Sequence, residues 1–416
     1  MTWPPDSAPP LRAHTVEIAD PGPLARWMPR QDAYAWIKQG DGMVGFGEVV
    51  RHKALTISEA EEWWSDLAGS VIIESELDDP PAGSGLIAFG TFVFDPNNSA
   101  DQSTLIVPET IIGRRNGRSW LTRIGVEPGG VGMSLPDPPC PPRNVSYADG
   151  SLTGPEWEAA VAQAVARINA GEFDKVVLAR DLLAFSDGPI DPRWLVQRLA
   201  EEYSRCWTYL VDGLVGATPE MLVRREAGLA TSRVLAGTIR RSGDNNRDLA
   251  LAAALSQSSK DLEEHEYAVS SVARALSPFC SGMNVPDAPY VLALPNVLHL
   301  ATDVTAVADR VANSLVLAAA LHPSAAVCGT PTDVARATIA ELEHLDRGRY
   351  AGPVGWVDAH GDGEWAIALR CGQLSATDPN QIRLFAGCGI VAGSDPEAEL
   401  AESNAKLVPM RDALGE

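Results

Sequence analysis

Ile382-Arg383-Leu384-Phe385-Ala386-Gly387-Cys388-Gly389-Ile390-Val391-Ala392 reads as an apolar strand running into glycines, with a helix signal directly after it. It carries the pattern G-x-G-x-x-A, so a dinucleotide-binding fold is the first architecture to weigh. That fold needs a strand–helix–strand unit with an acidic residue about 20 residues further on. Here a single helix follows and the sequence stops at Glu416, so we expect no dinucleotide site. What the stretch keeps is a glycine-rich turn whose free N–H groups can hold an anion.

The helix expected next, Pro396–Ala413, places Glu399 and Glu402 three residues apart on one face, with Lys406 a turn further along. Upstream, Lys260-Asp261-Leu262-Glu263-Glu264-His265 repeats the spacing with Asp261 and Glu264. Like charges stacked in this way cost stability unless solvent or a cation relieves them. Two solvated acidic faces are the commoner cause of such a pattern. Brought together, the four carboxylates would instead hold a hard cation and leave room for water and a substrate carboxylate, as Mg²⁺ sites do.

Two further residues stand out. Lys175 opens the apolar run Val176-Val177-Leu178-Ala179. A strand-end lysine usually snorkels to solvent, but a desolvated one can act as a base. Glu220 closes Gly216-Ala217-Thr218-Pro219-Glu220 and is either a strand-end carboxylate without duty or an acid. His265 and His299 lack metal-ligand partners at suitable spacing, and His265-Glu266 is not continued into a zinc-protease motif. Neither a G-x-S-x-G elbow nor a P-loop is present. The residues alone thus give an acidic cation site, an anion-binding turn and a candidate acid/base pair.

Working outward, Leu135-Pro136-Asp137-Pro138-Pro139-Cys140-Pro141-Pro142 cannot be helix or central strand. We place the seam here and divide the chain into 1–145, a scaffold of strands, and 146–416, the catalytic region of the same fold. In the first part, strands are expected over 86–94 and 104–107, and Arg115-Asn116-Gly117-Arg118 predicts a tight hairpin. In the second, spacing and capping residues predict helices over 155–170, 246–256, 262–275 and 311–320. Strands are expected over 175–178, 209–212, 290–294, 353–356, 364–369 and 382–386. The class that follows is mixed α/β (α+β) with much antiparallel pairing.

The chain has 416 residues, 45% of them hydrophobic, enough for one large or two ordinary domains. With 55 acidic and 33 basic residues the net charge is −22, which repels nucleic acid and anionic membranes and excludes both as expected partners. An anionic substrate would need local positive charge. The six cysteines are scattered singly, which fits reduced thiols in a cytoplasm rather than a zinc cluster or disulfide framework. Met1-Thr2-Trp3-Pro4-Pro5 lacks the basic and apolar regions of a signal peptide, and no run of about 18 apolar residues occurs. A cytoplasmic monomer is expected.

Taken together, the segments resemble the chorismate-utilising enzymes: isochorismate synthases, salicylate synthases, anthranilate synthase large subunits and aminodeoxychorismate synthases. The motifs that carry this occur in the family's order. They begin with Phe173-Asp174-Lys175-Val176-Val177-Leu178-Ala179-Arg180, the Gly216 to Leu222 segment, Leu235-Ala236-Gly237-Thr238 and the Lys260 to His265 segment. Leu321-His322-Pro323-Ser324-Ala325-Ala326-Val327, Tyr350-Ala351-Gly352-Pro353-Val354-Gly355-Trp356, Gly361-Asp362-Gly363-Glu364 and the Gly387 to Lys406 segment complete the set.

The resemblance implies one large domain of two similar layered halves, antiparallel sheets packed together with helices outside, the N-terminal stretch forming much of the first half. It also implies roles. Asp261, Glu264, Glu399 and Glu402 would surround Mg²⁺, Glu264 and Glu402 most directly. Lys406 and the N–H groups around Gly387 and Gly389 would help hold the ring carboxylate of chorismate. Tyr350 and Arg370 would hold the enolpyruvyl carboxylate, where arginine can bond both oxygens. Ala236, Gly237, Thr238 and His299 would line the pocket.

In the resembling isochorismate and salicylate synthases, a lysine at the place of Lys175 activates water for attack at C2 of the ring. The glutamate at the place of Glu220 protonates the departing C4 hydroxyl. Ammonia-using relatives lack that lysine, and aminodeoxychorismate synthases carry a lysine where this chain has Ala236. Hydroxyl transposition to isochorismate, for menaquinone or siderophore synthesis, is therefore the expected reaction. Pyruvate elimination to salicylate is the alternative, ahead of an amine-transferring component or a non-catalytic paralogue. Three departures from the family pattern stand out: Cys388 where alanine is common, Cys328 where glycine is common, and Asp261 where many relatives have the longer glutamate.

Overall fold

Alternating apolar residues give strands on both sides of the proline segment, and these strands mix in two sheets. The computed structural model describes residues 9–130, 132, 134–293 and 297–415; the side chains of Ala236, Thr238, Lys260, Asp261 and Glu264 lie outside that description. One sheet runs from Ser146–Asp149 through Lys175–Phe185, Gln381–Ile390, Cys371–Leu374, Leu214–Thr218 and Trp207–Val211. It continues through Ala33–Lys38, Asp41–Phe46, Thr110–Arg115, Arg118–Gly125 and Arg12–Glu17 to Ile72–Ser75. The other begins at Cys280–Asn284 and passes through Val297–Ala308, Leu229–Arg240, Met221–Glu226, Gly363–Ile367 and Pro353–Asp358. It ends in Ile87–Thr91, Ser103–Val107 and Val50–Ala54.

Among the described residues the pairing is antiparallel except between Arg12–Glu17 and Ile72–Ser75. Strands of the first 145 residues enter both sheets. Thr208 pairs with Ile37 in one sheet and Val354 with Thr91 in the other. The sheets meet at Glu364, whose carboxylate accepts the Trp36 indole at 2.7 Å, the Trp207 indole at 3.3 Å and Arg115 at 2.8 Å. Donors from one sheet thus satisfy a buried acid of the other, so the contact is polar but closed. Helices pack against the sheets: Pro192–Glu202 on Leu214–Thr218, Ser259–Leu276 on Leu229–Arg240, and Pro396–Ala413 on Gln381–Ile390. Among the described residues no helix is long and apolar enough to cross a membrane.

Local signals explain the ends of these elements. Asp395 accepts from Ala398 N at 2.9 Å and Pro396 takes the first helical position, so the last helix starts where its sequence says. Asn116 and Gly117 both have positive φ, 51° and 78°, as a two-residue hairpin turn requires. The Gln381–Ile390 strand overruns its expected end at 386, because Ala386 to Ile390 pair with Arg180 to Val176. Gly387-Cys388-Gly389 is therefore strand and not a turn.

The Lys175–Phe185 strand is held on its other edge by a buried ion pair. Ala179 N donates to Glu343 Oε1 at 2.7 Å, and Arg347, bonded to Glu343, donates to the Val177 carbonyl at 2.7 Å. Removing one partner leaves the other charge buried alone, which typically costs about 3–5 kcal/mol. Glu343→Ala is expected to lower the unfolding free energy by that amount in urea titrations. A loss below about 1 kcal/mol would show that the pair does not hold the strand.

Candidate active site

Two strands leave one sheet for the other side by side, and the site is built where they cross. Leu214–Thr218 passes into Met221–Glu226 through Pro219 and Glu220, while Gly363–Ile367 passes into Cys371–Leu374 through Arg370. The crossing is tight. A side chain on Gly216 would meet Tyr209 Oη at 2.7 Å and the Arg370 carbonyl at 2.8 Å, so only glycine fits. Arg370 itself has φ 50°, a left-handed conformation uncommon outside glycine. Its carbonyl accepts from Ala217 N at 3.2 Å, and Tyr209 Oη bonds the neighbouring Leu369 carbonyl at 3.1 Å. These bonds hold Arg370 beside Glu220.

The glycines of Gln381–Ile390 form the floor. Val177 pairs with Gly389 and Ala179 with Gly387, and both residues of the Lys175 strand turn their N–H groups outward, to Cys328 and Glu343. By the alternation of an antiparallel ladder, Gly387 and Gly389 then point their polar groups away from that strand. Cys371–Leu374 pairs only as far as Phe385, so these groups face a vacated edge. The donors assigned to a turn are thus edge groups of a strand. Lys406 Nζ already bonds the Gly387 carbonyl at 2.9 Å.

The missing side chains also make space. A Cβ on Gly389 would lie 3.0 Å from Lys175 Cε and 3.6 Å from its Nζ, so the lysine lies across this glycine. A Cβ on Gly387 would lie 3.0 Å from Tyr350 Oη. The Tyr350 ring stacks on Phe385 at 5.1 Å, and burial keeps its phenol protonated.

Charges converge above this floor. Burial lifts the Glu220 carboxyl to about 7, against the opposing pull of Arg370, Lys175 and Lys406. Burial lowers His299 to about 4, with Arg370 and Lys406 adding to the effect and a bond to the Gly237 carbonyl opposing it. That carbonyl is turned there by a bulge, since the ladder skips a residue between Ala236 and Thr238 and Gly237 has φ 76°. His299 is thus neutral at pH 7. In a chain of net charge −22, Lys175, Arg370 and Lys406 gather around Glu220, which suits an anion.

Glu399 and Glu402 face the same region from the last helix. Glu402 Oε1 bonds Lys406 at 2.7 Å. Burial works to raise Glu402, but Lys406, Arg370 and His299 overcome it and hold the carboxyl below its usual range. Burial raises Glu399, which accepts from Ser394 Oγ at 2.8 Å in opposition, while the Glu402 charge adds to the rise. Donor atoms of Cys388, Glu399 and Glu402 lie within 4.8 Å of one another.

The structure thus brings together Lys175, Glu220, Gly237, His299, Tyr350, Arg370, Gly387, Gly389, Glu399, Glu402 and Lys406. Asp261 and Glu264 fall in the helix Ser259–Leu276, and Ala236 and Thr238 in Leu229–Arg240; their side chains lie outside the described residues. Phe385, Tyr209 and the Glu343–Arg347 pair support the site without a motif to announce them, and Ser394 does so from within the Gly387 to Lys406 segment. A 550 Å³ cavity under Leu135 and Pro136 and a 670 Å³ cavity beside Asp212 and Arg383 lie away from these residues. The first is walled mainly by apolar groups, and the arginines of the second are bound to Asp181, Asp212 and Asp101.

The same residues can be compared with known proteins. Residues 135–415 match the chorismate binding enzyme family. Isochorismate synthase DhbC of Bacillus subtilis is 41% identical over 272 residues, 62% of this chain and 68% of that one. The salicylate biosynthesis isochorismate synthase of Pseudomonas aeruginosa is 34% identical over 395 residues, 88% of this chain and 81% of that one. A crystal structure of a Bacillus anthracis protein assigned as a 2,3-dihydroxybenzoate-specific isochorismate synthase superposes with a TM-score of 0.77 at 33% identity, covering 94% of this chain and 98% of that one. Likeness along nearly the whole chain, with three cations and two helix carboxylates gathered near Glu220, makes this protein a member of the chorismate-binding enzyme family.

Proposed function

We propose that this protein is an isochorismate synthase that converts chorismate to isochorismate with Mg²⁺. The observation that carries the reading is Glu220, a carboxyl that burial lifts to about 7 with Lys175, Arg370 and Lys406 around it. A protonated carboxyl and a lysine in one anion-binding cleft are an acid and a base for the same substrate. Lys175 takes a proton from water as its oxygen bonds to C2 of the ring. The ring double bonds shift, the C4–O bond breaks, and Glu220 gives its proton to the departing hydroxyl, which leaves as water. Tyr350 and Arg370 hold the enolpyruvyl carboxylate, and Lys406 with the free edge of Gly387 and Gly389 receives the ring carboxylate.

The donors present fit a hard divalent cation: Glu399 and Glu402 lie close together on one helix, and Asp261 and Glu264 fall on the helix Ser259–Leu276. Mg²⁺ bound there would neutralise a substrate carboxylate and draw charge from the ring. Glu402→Gln is expected to raise the Mg²⁺ concentration for half-maximal turnover on the order of 10- to 100-fold. An unchanged metal titration would remove Glu402 from the ligand set. The relatives named above include an enzyme of salicylate biosynthesis that is itself an isochorismate synthase, which supports stopping at isochorismate. Turnover in heavy-oxygen water tests the chemistry. The label is expected in the C2 hydroxyl of the product, and unlabelled isochorismate would overturn attack by solvent water.

A further inference from the structure

Magnesium takes oxygen donors, yet one of the three donors gathered at the last helix is sulfur. Cys388 Sγ and carboxylate oxygens of Glu399 and Glu402 all lie within 4.8 Å of one another. The thiol cannot swing away freely. Its strand is fixed by the pairing of Leu178 with Cys388, the side chain is buried, and Sγ donates to the Glu399 carbonyl at 3.4 Å. Metal–thiolate bonds are about 2.3 Å and metal–carboxylate bonds about 2.0–2.2 Å, which puts two donors on a tetrahedral ion roughly 3.6 Å apart. The three side chains would draw in by about an ångström at most.

We propose that Cys388 is a third donor of the cation site, so that the site takes thiophilic divalent ions such as zinc, cobalt and cadmium more tightly than magnesium. Thiolate selects softer ions, whereas carboxylate and water alone favour magnesium. Binding breaks the S–H bond and releases its proton to solvent, with no change in oxidation state. Burial pushes the Cys388 thiol up to about 12 against the pull of Lys406 Nζ, 3.9 Å from Sγ, so it is the bound ion that must supply the charge to hold the thiolate. The consequence is a magnesium-dependent site open to inhibition by a competing soft ion. This rests on the assignment of Glu399 and Glu402 to the cation site.

The test is a titration of the full chain with Cd²⁺, following the ultraviolet thiolate-to-cadmium charge-transfer absorbance, with and without excess Mg²⁺. The wild-type protein is expected to give a band that Mg²⁺ displaces only at large excess. Cys388→Ala should lose that band. Glu402→Gln should keep it at saturation but weaken Cd²⁺ binding on the order of tenfold or more. The same Mg²⁺-sensitive band in Cys388→Ala would overturn the proposal. So would a wild-type band indifferent to both Mg²⁺ and Glu402→Gln, which would place the ion on another thiol such as the exposed Cys140. Chorismate turnover by the wild type separates the two readings. Turnover without a Cys388-dependent band removes only the thiol donor, and the band without turnover removes only the isochorismate assignment.

Discussion

Glu220→Gln is expected to lose about a hundred- to ten-thousand-fold in kcat and to gain stability at neutral pH. The loss follows because glutamine cannot deliver a proton to the leaving hydroxyl. The gain follows from the same burial that raises the Glu220 carboxyl and suits it to the proposed role of acid. Folding raises its carboxyl from the ordinary value of 4.5 to about 7, so the folded chain resists ionisation that the unfolded chain permits. Below pH 4.5 both states are protonated and nothing is lost. Between 4.5 and about 7 stability falls, and above 7 the penalty is complete. The full interval corresponds to about 3 kcal/mol, and the cleft's access to water reduces it to about 1–3 kcal/mol. The unfolding curves of wild type and Glu220→Gln should therefore coincide near pH 4 and separate by pH 8. In the wild type, kcat/KM should fall as pH rises through about 7, because the proton to be donated is lost. A glutamine variant that keeps its turnover, or is less stable than wild type at pH 8, would count against Glu220 as the acid.

Lys175→Ala carries the second large effect. It removes the proposed base and one of the three cations around Glu220, and turnover should fall by about a hundred- to ten-thousand-fold with a smaller rise in KM. The strand itself should survive, since one edge is fixed by Glu343 and Arg347 and the other by the ladder that runs from Val176 and Ile390 to Phe185 and Gln381. Circular dichroism and thermal unfolding close to wild type, together with lost turnover, are the expected pair of results. Small primary amines added to the variant should restore part of the rate by filling the space over Gly389. Undiminished turnover would remove Lys175 as the base, and a collapsed fold would make it structural.

Much of the site was legible because its residues sit in local motifs whose spacing states their geometry. Glu399, Glu402 and Lys406 lie on one helix whose start is written in Asp395 and Pro396. Lys175 opens a strand that an apolar run announces. Other features depend on contacts far apart in sequence. The left-handed turn at Arg370 exists because two strands cross between sheets together with Leu214–Thr218 and Met221–Glu226. Phe385 becomes the platform for Tyr350 only once both sheets are formed. The overrun of Gln381–Ile390 past its expected end reflects its partner strand, whose pull exceeds the preference of glycine for turns. The first 145 residues were legible as strands, but their division between two sheets was not. Pairings such as Ala33–Lys38 with Trp207–Val211 leave no local trace.

The most direct test of the account is to incubate the purified protein with chorismate, with and without Mg²⁺, and separate the products by chromatography. The account predicts isochorismate alongside remaining chorismate, formed only when Mg²⁺ is present and without release of pyruvate. Salicylate with stoichiometric pyruvate would contradict the proposed end point, and no conversion of chorismate under either condition would contradict the assignment of the site itself.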